Sequence, residues 1–214
     1  MNTPDFLTLF AAYLLGAIPF GLLIGKLKGI DIRRHGSGNI GATNVLRVLG
    51  KPLGIATFIL DALKGFVPAF FFPALALHVA DGQVDRQILS VLCGALAIIG
   101  HNFPVFLKFK GGKGIATSAG VLLGIAWPAA LSGVAVWALV FFVSRYVSLA
   151  SIAGALTVIG SGWWFYRDGN IVLPIVLTVL GLLAILRHKS NIVRLLNGTE
   201  NRFERKKKSS DTAE

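Results

Sequence analysis

The stretch Gly36–Arg47, GSGNIGATNVLR, concentrates residue types suited to holding an anion. Its glycines let backbone N–H groups come close to a charged group. Ser37, Asn39, Thr43 and Asn44 add neutral hydrogen bonds, and Arg47 adds a forked guanidinium. The first six residues also fit the spacing G-x-G-x-x-G. That spacing marks a dinucleotide site only after a buried strand and with an acidic residue about 20 positions further on. Here the polar run Asp31-Ile32-Arg33-Arg34-His35 precedes it, and the next carboxylate, Asp61, lies inside an apolar segment. The chemistry is that of phosphate binding, without a nucleotide fold.

Two further stretches carry the same character. Gly100-His101-Asn102-Phe103-Pro104 leads into Lys108-Phe109-Lys110-Gly111-Gly112-Lys113-Gly114. This is not a Walker A loop, because Gly114 stands where Ser or Thr should follow the lysine. It does open directly into an apolar segment, which places free N–H groups and a helix start beside lysines. The third stretch, Arg187–Arg202, leaves the last apolar segment. Arg187, Asn191 and Arg194 share one helical face there, with His188 beside them, as a polar lid over a ligand would require.

These stretches must be positioned by apolar elements. Only 14% of the 214 residues are charged, 54% are hydrophobic, and mean hydropathy is +0.71. A soluble domain carries about 25% charged residues. Apolar segments run at about 5–25, 53–77, 87–107, 114–143, 148–166 and 170–187. Such lengths mark membrane spans. The fold class expected is all-α: a polytopic membrane protein, with 1–203 as one domain and 204–214 as a basic tail.

Charge decides the span count. The net charge is +11, and 17 of the 21 Lys and Arg fall within Lys26–Lys51, Lys108–Lys113 and Arg187–Lys208. Basic loops gather on the cytoplasmic side. Six spans would put the third patch outside. The segment 114–143 is too long for one span and contains Pro128. Splitting it into about 114–127 and 129–144 gives seven segments, some short or broken. All three patches then lie inside, with the N-terminus outside and the C-terminus cytoplasmic. The acidic loop Asp81–Arg86 and the turn Arg167-Asp168-Gly169 lie outside. No basic soluble module suggests nucleic acid, and nothing points to an obligate protein partner.

The N-terminus lacks the basic start of a signal peptide and carries Asp5, so it is expected to remain as the first span. Cys93 is a lone core residue. Asp61 and Lys64, three apart on one helical face, are expected to pair and neutralise each other. No H-x-x-x-x-D pattern occurs, and the carboxylates are scattered, with only Asp61 inside a span. Neither metal nor cofactor is therefore expected.

In order and spacing, GSGNIGATNVLR, GHNFPVFLKFKGGKGIAT, RYVSLAS and RHKSNIVRLLNGTENRF resemble the signature segments of the bacterial integral-membrane acyl-phosphate:glycerol-3-phosphate acyltransferases. The resemblance runs from the first span to Phe203. It implies transfer of a fatty acyl group from acyl phosphate to position 1 of glycerol 3-phosphate, the entry step of phospholipid synthesis in the bacterial inner membrane. It implies that Ser37 and Arg47 are required, that Lys110, Gly111, Gly112, Lys113 and Gly114 form the glycerol-phosphate loop, and that His188 and Asn191 act in catalysis. With that chemistry Lys110, beside Arg47, is expected to be catalytic by stabilising charge in the transfer. Glu200 would be structural, and Ser148 would lie near the acyl phosphate. The alternative is a membrane transporter of small phosphorylated metabolites, favoured by the broken segment at Pro128 and the charges at Asp61 and Lys64. The polar motifs cluster at one face and not at the midplane, which argues against it.

Overall fold

The structure, a computed structural model, describes residues 3–80, 84–169 and 171–203, without the side chains of 77–80. The basic tail 204–214 and residues 81–83 of the acidic loop expected after Ala80 lie outside these residues. Among the described residues the chain is all-helical, with eleven α-helices and no strand. In order, α1 is Thr3–Ala17, α2 Phe20–Leu27, α3 Ala42–Leu49 and α4 Lys51–Phe70. Then come α5 Phe72–Ala80, α6 Arg86–Asn102, α7 Ile115–Ile125, α8 Trp127–Ser144, α9 Val147–Tyr166, α10 Val172–Arg187 and α11 Lys189–Leu196.

Four stretches are long and apolar enough to cross a membrane: Lys51–Ala76, Arg86–Leu107, Trp127–Ser144 and Val147–Tyr166. The pairs α1–α2 and α10–α11 reach that length only as bent units, with angles of 42° and 55°. The first bend falls at Pro19, which has no N–H to continue the ladder. The remaining apolar helix, α7, has 11 residues. At 1.5 Å per residue it covers only about 16 Å, roughly half a bilayer core.

The long segment does divide, but at Ala126 and not at the proline. Pro128 sits in the first turn of α8. A proline is tolerated there because that turn's N–H groups have no helical partner in any case. Pro128 therefore starts the second helix and does not end the first. Pro68 lies inside α4, and the helix gives way after Phe70. The expected Asp61–Lys64 pair is present at 2.8 Å, deeply buried. Asp5 in α1 is a second buried carboxylate that the span count had not placed inside the bundle.

Helix pairs meet through small residues. A Cβ on Gly120 would lie 1.9 Å from the Ala62 carbonyl oxygen, and one on Gly65 would lie 2.2 Å from that of Thr117, so α7 and α4 touch backbone to backbone. Gly16 lies equally tightly on Ala97, joining α1 to α6. Lipid offers little hydrophobic drive for helix association, and such close contacts supply it by dispersion instead. Large apolar side chains such as Phe6, Phe10, Leu139, Phe142 and Trp164 point outward, as lipid contact requires. The core between helices is built of modest side chains, among them Val91, Ala129, Ala130 and Leu177.

Candidate active site

The three polar stretches meet at one end of the bundle. In the first, Asn44 is almost fully buried at the start of α3. Its amide nitrogen donates to the carbonyls of Ile32, His35 and Asn39 at 3.1, 3.0 and 2.8 Å. Its oxygen accepts the Ser37 N–H at 2.8 Å. Asn39 accepts the Gly41 N–H at 2.8 Å, just ahead of α3. Both amides thus shape the loop, which leaves Ser37, Thr43 and Arg47 facing a cavity. Thr43 and Arg47 are four apart and share a face of α3.

The second stretch folds back on the end of α6. The Gly111 N–H donates to the Asn102 carbonyl at 3.2 Å, and the Gly112 N–H to that of His101 at 3.1 Å. These two glycine amides therefore do not serve an anion, contrary to the expectation from spacing. In this stretch, the N–H groups of Lys113, Gly114 and the first turn of α7 have no partner among the described residues. Gly114 sits at φ +80°, a left-handed conformation that favours glycine, and turns the chain into α7. Arg187 holds the loop from above. Its guanidinium donates to the Gly111 carbonyl at 2.9 Å and to that of Gly112 at 2.7 and 3.1 Å.

The third stretch closes the ring. Lys113 donates to the Asn191 side-chain oxygen. The Asn191 amide donates to Glu200 at 2.7 Å, and Arg194 donates to the other Glu200 oxygen at 2.7 Å. The His188 Nδ1 lies 2.8 Å from the Ala184 carbonyl. A carbonyl only accepts, so Nδ1 carries the hydrogen, and in the neutral ring Nε2 keeps its lone pair. Arg47 stacks 5.5 Å over Phe203, and the Phe203 N–H donates to the Arg145 carbonyl at 3.0 Å. The segment after α11 is thereby strapped across the α8–α9 turn.

Between these groups lies a cavity of about 570 Å³. Its polar mouth is lined by Ser37, Asn39, Thr43, Asn44, Arg47, Lys113, Gly114, Ser148, His188, Asn191 and Glu200. Its apolar arm runs inward past Phe58, Val121, Trp137, Val158 and Leu177. Of the expected residues, Gly111 and Gly112 sit behind the mouth, and Lys110 is exposed outside the lining. Burial pulls the Lys113 ammonium down to about 8, opposed by Glu200 and reinforced by Arg194, Arg187 and Arg47. Burial pushes Glu200 up, but hydrogen bonds from Asn191 and Arg194 outweigh it and hold the carboxyl below its usual range.

Sequence reasoning did not place His101 and Asp61 at the cavity, yet both line it. The signal was present in His101 lying directly ahead of the glycine loop. The span containing Asp61 gave no hint of what it faced.

An all-helical bundle with membrane-spanning lengths, whose apolar cleft ends in a ring of cations and amides, defines an integral-membrane protein built to hold an anionic amphiphile. Residues 6–198 match the family model described as glycerol-3-phosphate acyltransferase. The chain is 48% identical to the glycerol-3-phosphate acyltransferase of Syntrophotalea carbinolica, over 94% of this chain and 98% of that one. It is 45% identical to the enzyme of Rhodospirillum rubrum, over 94% of this chain and 91% of the relative. Crystal structures of PlsY (YgiH), an integral membrane glycerol 3-phosphate acyltransferase, superpose with TM-scores of 0.82 for the glycerol 3-phosphate form and 0.79 for the lysophosphatidic acid form. Both are 42% identical, over 94% of this chain and 96% and 95% of theirs. The chain belongs to the glycerol-3-phosphate acyltransferase family, membrane acyltransferases of phospholipid biosynthesis.

Proposed function

We propose that the protein transfers a fatty acyl group from acyl phosphate to the 1-hydroxyl of glycerol 3-phosphate, releasing lysophosphatidic acid and phosphate. The carrying observation is that one continuous cavity has both an apolar arm and a cationic mouth. An acyl chain fits the arm while two phosphates need the mouth. Solved relatives holding glycerol 3-phosphate and lysophosphatidic acid support the acceptor and the product.

The acceptor hydroxyl oxygen attacks the acyl carbon, and the bond from that carbon to the bridging phosphate oxygen breaks. The leaving phosphate departs with the electron pair and takes the hydroxyl proton. Acyl phosphate is a mixed anhydride and already activated, so positioning and charge stabilisation suffice. Arg47 and Lys113 neutralise developing charge, and the free N–H groups at the start of α7 orient a phosphate. Lys110, exposed beside the mouth, meets the incoming anion from the solvent side. Ser37 donates a hydrogen bond and is not a nucleophile, since its hydroxyl bonds no imidazole among the described residues. The His188 Nε2 and Asn191 contact the acceptor, while Asn39, Thr43, Asn44, Gly114 and Ser148 shape the binding surface and Gly111 and Gly112 back it. The mouth faces the cytoplasm of a bacterial inner membrane, where basic loops belong. Residues 1–203 form the catalytic domain.

The test is purified protein with glycerol 3-phosphate and chelator, given acyl phosphate or acyl thioester in separate reactions. Lysophosphatidic acid from the first alone is expected. Turnover with the thioester alone would overturn the donor assignment.

A further inference from the structure

The glycine loop rests on a buried polar shell to which the proposed reaction assigns no role. A Cβ on Gly112 would lie 2.1 Å from His101 Nε2, and one on Gly111 would lie 2.1 Å from the His101 carbonyl oxygen. One on Gly114 would lie 2.7 Å from Asn102 Oδ1. The three glycines are thus required by what lies beneath them. His101 is buried at 5% exposure. Its Nδ1 edge faces Asp61 Oδ1 at 3.7 Å, too long for a hydrogen bond but close enough for the carboxylate to orient the ring. Asp61 pairs with Lys64 at 2.8 Å, and Lys64 donates to the Ile18 carbonyl at 2.6 Å, at the break between α1 and α2. A continuous buried series therefore runs from that break through α4 and α6 to the underside of the loop.

We propose that His101, oriented by Asp61, is a positioning residue that sets where the loop presents Lys113 and its free N–H groups to glycerol 3-phosphate. The inference rests on the acceptor assignment above. Arg187 clamps the loop carbonyls from one side and His101 supports Gly112 from the other, so the loop has one seat. Removing the imidazole lets the loop sink. The phosphate contacts are then misplaced, while the acyl-phosphate contacts of Arg47 and Ser37 stay put.

The test is steady-state kinetics of His101→Ala, Asp61→Asn, Gly112→Ala and the double variant His101→Ala/Gly112→Ala, each checked for folding by thermal unfolding in detergent. Geometric displacement of this kind costs about ten- to a hundredfold. It is expected chiefly in KM for glycerol 3-phosphate, with a smaller fall in kcat from the displaced Lys113 and KM for the acyl donor unmoved. Gly112→Ala drives a methyl into the imidazole, and the double variant should recover much of that loss, a non-additivity that plain loss of structure does not produce. If His101→Ala does not fold, His101→Gln takes its place in the same cycle. A double variant no better than Gly112→Ala alone would overturn the positioning role, as would single variants with unchanged acceptor KM. Absence of acyl transfer in the unaltered protein would instead overturn the functional reading beneath it.

Discussion

Under the proposed function, acceptor binding turns on Lys113. It is half-buried, ringed by Arg47, Arg187 and Arg194, and its ammonium is pulled down to about 8. Only the charged form attracts a phosphate dianion. Below about pH 8 that form dominates, and above it the lysine loses its proton. KM for glycerol 3-phosphate should therefore climb as pH rises through 8, by up to about tenfold per unit. Lys113→Arg should remove that climb, because a guanidinium keeps its proton throughout the range. Initial rates between pH 7 and 10 check this, and a flat profile in the unaltered protein would contradict it. Much of this ring was legible in the sequence: Ser37, Arg47, Lys113, His188 and Asn191 were singled out by type and spacing. The division of labour was not. Asn39 and Asn44 read as ligands because an amide's chemistry is the same whether it faces a substrate or its own loop. Only the fold shows that Asn44 spends its amide on Ile32, His35, Asn39 and Ser37.

At the scale of elements, the short helix α7 carries the free N–H groups, and its seat against α4 decides where they point. Gly120 lies against the Ala62 backbone, where a methyl has no room. Gly160 in α9 has nothing within 4 Å of the same position. Gly120→Ala should destabilise the protein by about 1–3 kcal/mol, through overpacking, and lower activity. Gly160→Ala should be neutral or stabilising by about 0.5–1 kcal/mol. Thermal unfolding in one detergent, with activity alongside, measures both; equal effects would contradict the packing account. The division of the long apolar segment was readable from its length and Pro128. The break itself at Ala126 was not, because a proline in a first turn and a proline at a last turn look alike without the neighbouring helix.

At the scale of the molecule, Gly36–Arg47, Lys108–Gly114 and Arg187–Glu200 lie far apart in sequence and meet at one end of the bundle. Charge distribution foretold this, since basic loops share a membrane side. Their mutual bonds, Arg187 to Gly112 and Lys113 to Asn191, were beyond it, because periodicity places residues on helix faces but does not pair the faces. Sidedness is open to direct labelling. Cys93 is the chain's one cysteine and is fully buried, so added cysteines report alone. In sealed inner-membrane vesicles, cysteines at the exposed positions Arg34 and Lys189 should label from the cytoplasmic side and one at Arg167 from the other. Labelling of Arg34 and Lys189 from opposite sides would break the account.

Under the proposed function, acyl phosphate and glycerol 3-phosphate occupy the mouth together and react directly, with no acyl-enzyme between them. Initial rates with both substrates varied test this most directly. Intersecting reciprocal plots, the mark of a ternary complex, are predicted; parallel lines, the mark of a covalent acyl intermediate, would contradict it.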